Sequence, residues 1–290
     1  MIHPSTFSIA AFDKNEPSWG IAVASKFPAA GAVVPWARAG SGAIASQAFA
    51  NTALGPQGLD LLQSGMNAEE VLAKLLESDE GRETRQVGIV DKDGNSATFT
   101  GGGCMNWAGG RKGPGYAIQG NILVSETVVA NMEEKFLETG GDLAERLYAV
   151  LLAGDRAGGD RRGRQSAAII VVKEKGGYGG FNDRMLDYRV DDDVDPVSKL
   201  GELINLHRLY FGKSPQEDRI QLEGKNLADM KIILNNLGYL TGNLSEKYDS
   251  NMQEALRSFV GNENFEERCD PAAGWIDAPV YHYLIGKFGK

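Results

Sequence analysis

The amino-acid sequence predicts an α+β fold in which antiparallel sheets are stacked between pairs of helices. Strand-like and helix-like segments alternate in blocks rather than one by one, which is typical of stacked layers and not of a doubly wound parallel sheet. Turn-forming residues such as DKDGN (91–95) join successive strands into hairpins. The 290 residues, 42% of them hydrophobic, suffice for one large domain, alone or with a small second one.

The first block contains four strands and two helices. TFSIAAFD (6–13) has the alternation of a strand, and turn residues separate it from a second strand, WGIAVASKF (19–27). The segment 31–49 contains two further short strands around a glycine turn. Helices are predicted at 55–66 and 67–79, and the second begins with an asparagine suited to the N-cap position.

The second block repeats this order and ends with one more strand. Ser125 opens its first helix with most of a capping-box pattern. The Gly-rich TGGGC (100–104) is interpreted as a turn or a close backbone approach. The predicted members are strands at 84–94, 95–101 and 115–124, helices at 125–139 and 142–158, and a strand at 166–174.

The rest of the chain divides at a polar stretch. The segment 188–212 is first acidic and then helical with an apolar face, and Pro215 follows it. We place the main domain at 1–213, a linker at 214–221 and a small, mainly helical domain at 222–290. In this tail, two amphipathic helices flank a turn-rich loop, GYLTGNLSEKYD.

Composition excludes several functional classes. A net charge of −9 and a pI of about 5 disfavour nucleic-acid binding. The longest apolar runs are strand-sized, so no membrane partner is expected, and the start of the chain lacks a signal-peptide pattern. Two distant cysteines, Cys104 and Cys269, favour a reducing compartment, and we expect a cytoplasmic protein. The three scattered histidines give no metal-site spacing, so neither a metal nor a cofactor is expected.

Several stretches together resemble the DUF1028 family: TFSIAAFD, VVPWARAGSGAIASQAF, RQVGIVD, YAIQGNILV and AGGDRRGRQSAAIIVV. The resemblance covers about residues 5–190. That family is similar to the Ntn-hydrolase superfamily, so the resemblance implies a four-layer αββα sandwich. The tail, through LGYLTGNLSEKYDSNMQEALRSF, resembles the peptidoglycan-binding domain that often follows it. The resemblance of the tail implies a cell-wall glycan as its ligand. The lack of a signal-peptide pattern instead favours a tail that packs on the main domain or on a second subunit.

The resemblance also implies a nucleophile at the start of the first strand. In Ntn hydrolases an N-terminal Thr, Ser or Cys attacks the substrate, and its own α-amino group is the base. Thr6 matches that position once residues 1–5 are removed, although a β-branched residue in a strand also explains it. Ser5 and Ser8 are further candidates, and Ser8 shares the face of Thr6 by strand alternation.

Other catalytic candidates follow from neighbouring strands and from the superfamily pattern. Ser25 and Lys26 end the second strand, where Lys26 could lower a neighbouring pKa or be an exposed lysine. Asp160 and Ser166 match the aspartate-and-serine segment of the superfamily.

The substrate-binding candidates are hydrogen-bond donors near these positions. The donors of the loop 160–165 could bind a carboxylate or form an Arg–Asp network. The QGN triplet at 119–121 could form an oxyanion hole or a β-bulge. The complete set is Gln47, Asn51, Gln119, Gly120, Asn121, Arg162, Arg164 and Gln165.

Taken together, the sequence predicts an Ntn-type hydrolase that cleaves an amide bond in a small, carboxylate-bearing substrate. The alternative is an Ntn-fold protein that is not processed and that binds or assembles without cutting. Ntn folds tend to assemble, so a homo-oligomer is expected from the family.

Overall fold

The protein has a mixed α/β fold with antiparallel sheets, seen in a computed structural model that describes residues 6–241 and 247–289. Its chain divides into two compact units, Met1–Leu203 and Ile204–Lys290. Ser5 and the centre of the loop GYLTGNLSEKYD lie outside the described residues. No helix in the described ranges is long and apolar enough to cross a membrane.

The first unit holds ten strands and four complete helices within its described part. A fifth helix, α5 (Pro196–Phe211), begins in it. The strands are β1 (Thr6–Asp13), β2 (Ser18–Ser25), β3 (Pro35–Arg38), β4 (Gly42–Ala48), β5 (Arg85–Asp91), β6 (Ser96–Thr100), β7 (Gly109–Gly113), β8 (Tyr116–Asn121), β9 (Ser166–Val172) and β10 (Arg184–Val190). The helices are α1 (Leu54–Gln63), α2 (Ala68–Ser78), α3 (Thr127–Glu138) and α4 (Leu143–Arg156).

The strands form two antiparallel sheets. The larger sheet has the order β10-β9-β2-β1-β8-β7, and the smaller has the order β3-β4-β5-β6. Helices α3 and α4 pack on the larger sheet, and α1 and α2 pack on the smaller one. The other faces of the two sheets pack against each other, with β1 against β4 and β8 against β5. This explains why β1, β2 and β9 are almost continuously apolar, since both of their faces are covered.

Small residues let these layers approach closely. The interface between the sheets is filled largely by alanine and β-branched side chains, with Trp19 near one end. Helix α1 lies directly on its sheet, because a Cβ added at Gly55 would be 2.2 Å from Trp36 and one at Gly58 would be 2.4 Å from Ile44. The sequence GPQG at the start of α1 therefore serves packing rather than helix propensity.

The predicted elements of the first unit largely agree with the structure. The N-cap at Asn67 is confirmed, with a full capping box to Glu70. The Gly-rich turn is confirmed as a close approach, since a Cβ at Gly101 would be 2.4 Å from the carbonyl oxygen of Glu83. The capping box at Ser125 is wrong, because α3 begins after Glu126 without a side-chain cap. Strands β7 and β10, at the two edges of the larger sheet, were not predicted.

The second unit combines helices with a very small sheet. The sequence predicts two amphipathic helices here, and the structure adds a third helix and three short strands. Strand β11 falls in the segment 214–221, where the sequence predicts a linker. The elements are β11 (Arg219–Gln221), α6 (Gly224–Asn236), α7 (Ser250–Asn262), β12 (Cys269–Asp270), β13 (Trp275–Asp277) and α8 (Ala278–Phe288).

A buried ion pair stabilises this second unit. Arg268 Nε donates to Asp277 Oδ2 at 2.6 Å, and both side chains are buried. The same guanidinium donates to the carbonyl oxygens of Arg208 and Leu209 and to Ser214 Oγ. The last carbonyls of a helix lack the full set of helical donors, so Arg268 adds hydrogen bonds to two of those of α5, and the amide of Gly212 also donates to Arg208.

Candidate functional site

Polar residues lie side by side at one end of the larger sheet. Thr6 is paired in register with Ser25 on β2 and with Asn121 on β8, and Ser25 is paired with Ser166 on β9. Directly paired residues point to the same face of a sheet, so these four side chains form one row. Each of them exposes 2% of its surface or less. The sheet therefore brings four of the predicted candidates together.

The hydroxyl of Thr6 lies against that of Ser25. Their Oγ atoms are 3.2 Å apart, and either can be the donor. Ser166 has a different role, because its Oγ donates to the carbonyl oxygen of Phe27 at 2.6 Å and accepts from the amide of Ala30 at 3.1 Å. It therefore fixes the loop after β2 rather than contacting Thr6.

Buried amide groups join the two sheets behind Thr6. Ser8 Oγ donates to Gln47 Oε1 at 2.5 Å and accepts from Gln119 Nε2 at 2.6 Å. Gln47 lies on β4 of the smaller sheet, whereas Ser8 and Gln119 lie on β1 and β8 of the larger one. All three are completely buried. Three more predicted candidates thus meet across the interface between the sheets.

Gln86 is the centre of this cluster, and the sequence analysis did not select it. Its Oε1 accepts from Gln47 Nε2 at 2.8 Å and from Asn121 Nδ2 at 3.0 Å. Its Nε2 donates to the carbonyl oxygen of Gly120 at 2.8 Å and to Thr100 Oγ1 at 2.9 Å. A signal was present, since this glutamine directly precedes the apolar run VGIV in a buried strand. We call Ser8, Gln47, Gln86, Gln119 and Asn121 the amide network.

The amide network also holds the backbone of Thr6. Gln47 Nε2 donates to the carbonyl oxygen of Thr6 at 3.3 Å, and Asn121 Nδ2 lies 3.5 Å from the same oxygen. Space for Gln119 is left by Gly88, where an added Cβ would lie 2.0 Å from Gln119 Oε1. The network therefore fixes where the first residue of β1 sits relative to both sheets.

The loop 160–165 is tied to the end of β2 by charged groups. Asp160 accepts from the amide of Lys26 at 2.7 Å and pairs with the guanidinium of Arg162 at 3.1 Å. Arg164 Nε pairs with Asp155 at 2.7 Å, and Lys26 Nζ donates to the carbonyl oxygen of Arg164 at 3.2 Å. The Arg–Asp network that the sequence left as an alternative is present.

Two of the binding candidates lie elsewhere. Gln165 Nε2 donates to Asp192 at 3.1 Å on an exposed surface. Asn51 accepts from the amide of Ala53 through its Oδ1, and its Nδ2 lies 3.5 Å from Asp79 Oδ2. Neither has a hydrogen bond to Thr6 among the described residues, so Asn51 acts here in the turn before α1.

A small cavity opens beside Thr6. Its volume is about 180 Å³, and Gln47 forms part of its wall. The other walls come from the loop after β2 and from the end of β4. The remaining lining residues are Phe27, Ala30, Val33, Val34, Ala48, Phe49 and Ala50.

A buried ion pair supports one wall of this cavity. Arg85 binds Asp79 through two nitrogens, at 2.8 and 3.3 Å, and its Nη1 donates to the carbonyl oxygen of Phe49 at 2.7 Å. The guanidinium also stacks on the ring of Phe49. Hydrogen bonding to Arg85 holds the pKa of the Asp79 carboxyl below its usual value, against the opposing effect of burial.

Left-handed backbone conformations cluster around the same site. Ala29, Ala48 and Ile122 have φ angles of 51°, 66° and 52°. The conformation is strained for a β-branched residue such as Ile122, at a cost of about 1–3 kcal/mol. It is held because the amide of Ile122 donates to Met105 and its carbonyl accepts from Arg161. Such strain concentrates at functional sites, which favours this end of the sheets as the site.

The site offers a hydroxyl nucleophile in neutral polar surroundings. In the described part of the chain, no basic side chain is hydrogen-bonded to the hydroxyl of Thr6. Cys104 is not activated as a nucleophile, since burial raises the pKa of its thiol and its Sγ donates to the carbonyl oxygen of Arg85. A reaction at Thr6 would need a base from the backbone, from solvent or from a substrate.

We expect Gln86→Leu to lower the free energy of unfolding by about 2–4 kcal/mol, because it leaves the amides of Gln47 and Asn121 without their shared acceptor. Urea denaturation measures this. Thr98→Val is the matched control on the neighbouring strand, since the buried Thr98 hydroxyl has no partner among the described residues. The control should be neutral or stabilising. An equal loss in both variants would contradict the role given to Gln86.

We expect Asp79→Asn to destabilise the protein by about 1.5–3 kcal/mol at neutral pH, through loss of charged hydrogen bonds to Arg85. Because folding lowers the pKa of Asp79, its contribution is complete above the unfolded pKa of about 3.9 and is lost as pH falls through the folded value. The difference from wild type should thus be constant above about pH 5 and shrink below pH 4. Asp93→Asn, which breaks an exposed pair with Lys92, is the control. A difference that is independent of pH would contradict the argument.

Comparison with known proteins identifies both units. The model described as "Family of unknown function (DUF1028)" matches residues 6–200, and the model described as "Putative peptidoglycan binding domain" matches residues 210–284. The comparison with curated proteins gave no significant match.

Two solved structures are similar to the chain. The crystal structure of a DUF1028 protein from Silicibacter pomeroyi is 28% identical, with a TM-score of 0.64 over 70% of this chain and 89% of that one. Anbu (ancestral beta-subunit) from Yersinia bercovieri is 12% identical, with a TM-score of 0.30 over 72% of this chain and 98% of that one, which is too low to carry an argument. Because the first family model matches more than half of the sequence, the resemblance inferred from the motifs is confirmed, and the chain belongs to the DUF1028 family.

Proposed function

We propose that this protein is an Ntn-type hydrolase that cleaves a small amide, with Thr6 as its nucleophile. One observation carries the proposal. The first residue of the central strand β1 places its hydroxyl against Ser25 and forms part of the wall of a cavity of about 180 Å³. A nucleophile must contact its substrate in a recess such as this cavity. The buried amide network fixes the position of Thr6 beside it.

The arrangement of the layers supports the proposal. The helix pair α1–α2 packs on the smaller sheet, that sheet packs on the larger one, and the larger sheet packs on α3 and α4. We therefore interpret the fold of the first unit as a four-layer αββα sandwich of the Ntn type. In that fold, the start of the first strand is the position of the nucleophile.

The proposed reaction uses the N-terminus of a processed chain. Removal of residues 1–5 frees the α-amino group of Thr6, which accepts the proton of its own hydroxyl as Oγ1 attacks the substrate carbonyl. The carbon–nitrogen bond then breaks, the amine leaves with that proton, and water hydrolyses the acyl ester. Ser25 lies within hydrogen-bond distance to orient the hydroxyl.

The other candidates have supporting roles in this proposal. Asn121 uses its Nδ2 on Gln86 and on the carbonyl oxygen of Thr6, so we assign it to positioning rather than to the oxyanion. Asp160, paired with Arg162, holds the end of β2. Lys26 donates to the carbonyl oxygen of Arg164, so its side chain is bound to the loop 160–165.

A second function is favoured by the burial of Thr6. This residue exposes only 2% of its surface, so little of it is open to a substrate in this conformation. Under this alternative the protein keeps residues 1–5 and binds a ligand or assembles as an oligomer without cutting.

Production of the chain starting at Thr6, from a cleavable fusion, distinguishes the two functions. We expect it to release amine from a panel of acyl amides, with intact mass confirming its N-terminus. Thr6→Ser should retain measurable activity, and Thr6→Ala should lose about 10³-fold or more. The chain that still carries residues 1–5 is the control and should be inactive. Equal hydrolysis by the Thr6→Ala protein would eliminate Thr6 as the nucleophile.

For the second unit we propose binding to peptidoglycan, on the basis of the family match over residues 210–284. Sedimentation of the full chain with purified peptidoglycan should retain the protein, and a chain ending at residue 203 should stay in the supernatant. Equal retention of both chains would place the binding elsewhere, and no retention would favour a role in packing or assembly.

A further inference from the structure

We propose that the cavity beside Thr6 is a subsite for a small, branched, uncharged aliphatic group on the acyl side of the scissile amide. This inference rests on the proposed function, and it revises the expected substrate. A carboxylate, if the substrate has one, does not enter this cavity.

The lining of the cavity is the first argument. Seven of the nine lining residues are alanine, valine or phenylalanine, and the other two are Thr6 and Gln47. Among the described residues, no charged side chain lines it. The ion pair of Asp79 with Arg85 supports Phe49, and neither of its residues is among those that line the cavity. A charged ligand group would therefore lose its hydration here without gaining a partner.

The polar atoms of Gln47 do not change this conclusion. Its Oε1 accepts a short hydrogen bond from Ser8, and its Nε2 donates to Gln86 Oε1 and to the carbonyl oxygens of Thr6 and Gln119. The amide is thus committed to the network between the sheets. Of the two polar side chains described in the lining, only the hydroxyl of Thr6, the proposed reacting atom, is outside that network.

The volume limits the size of the group. An apolar protein cavity of about 150 Å³ holds a benzene molecule. The cavity of about 180 Å³ beside Thr6 is slightly larger, so it accommodates a side chain of roughly four to six carbons. This is the size of an isobutyl group.

The walls are fixed before any ligand binds. Ser166 holds both Phe27 and Ala30, and the carbonyl oxygen of Val34 accepts from the amide of Ser46 at 3.1 Å. On the opposite side, Arg85 holds Phe49. A preformed cavity costs little to order on binding and discriminates by shape.

The first experiment measures binding of small amides to the full chain and requires no reaction at Thr6. Methyl NMR signals of Val33 and Val34 are followed while isovaleramide, which carries an isobutyl group, or succinamate is added. We expect saturable shifts with isovaleramide and none with succinamate at the same concentration. Equal shifts with both compounds, or shifts with succinamate alone, would overturn the subsite whatever the role of Thr6.

The second experiment tests the subsite and the nucleophile together, through covalent adducts with Thr6. Alkylboronic acids are mixed with the chain that begins at Thr6, and covalent adducts are measured by competition and intact mass. In an adduct, Oγ1 bonds to boron, the hydroxyl proton moves to the α-amino group, and the boron becomes tetrahedral with no group leaving. We expect isobutylboronic acid to bind about 10-fold or more tightly than methylboronic acid, and 2-carboxyethylboronic acid to bind least.

Two variants locate the effect. Ala30→Leu fills the cavity and should abolish the preference for isobutyl over methyl while methyl binding remains. Ala32→Leu is the matched control, because this exposed residue of the same loop does not line the cavity. If Ala30→Leu does not fold, Ala50→Leu at the opposite wall serves the same purpose.

The outcomes separate the two proposals. Adducts of equal strength across the series, or a preference for the carboxylate, would overturn the subsite and leave Thr6 as nucleophile. No adduct with any boronic acid, together with saturable binding of isovaleramide, would retain the apolar subsite and overturn the nucleophile.

Discussion

The constraint on which this structure depends is that five buried polar side chains hydrogen-bond to one another between two sheets. Gln47 and Gln86 come from the smaller sheet, and Ser8, Gln119 and Asn121 come from the larger one. A buried amide without a partner costs about 1–3 kcal/mol. A displacement of one sheet by a single residue would break most of these bonds at once. Apolar contacts alone, mainly alanine and valine here, would tolerate such a shift much better.

The same constraint determines where the candidate site lies. Thr6 begins the strand that carries Ser8, so the bonds that align the sheets also fix the carbonyl and side chain of Thr6. Beyond Thr6 the interface changes from polar to apolar and encloses the cavity, whose walls are set by Ser166 on one side and by Arg85 on the other. The strained residue Ala48 ends β4, and the strained Ile122 directly follows β8. The backbone hydrogen bonds of Ile122 to Met105 and Arg161 hold its conformation.

The central elements and much of this site could be predicted because their signals are local. Alternation, turn residues and helix caps identify the strands and helices that are covered by other layers. Edge strand β7 has the sequence GGRKG, which carries no apolar alternation, and β10 alternates charged residues with few apolar ones. Strands β11 to β13 are only two or three residues long and exist because of tertiary pairing. Gln86 was missed because its role depends on partners from four other strands, which no local pattern reveals.

The electrostatic character of the site follows from these contacts. The groups hydrogen-bonded to Thr6 within the described chain are amides and a hydroxyl, all of them neutral. The charged residues of the nearby loop neutralise one another, as Asp160 does with Arg162 and Asp155 with Arg164. Under the proposed mechanism, the neutral α-amino group of Thr6 is therefore the base that the reaction needs and that the described side chains around Thr6 do not supply. Cleavage before Thr6 would create the base, remove the residues that precede the nucleophile, and leave the amide network unchanged. The proposed activation by processing would therefore supply the base that the neutral hydrogen-bonding groups described around Thr6 do not provide.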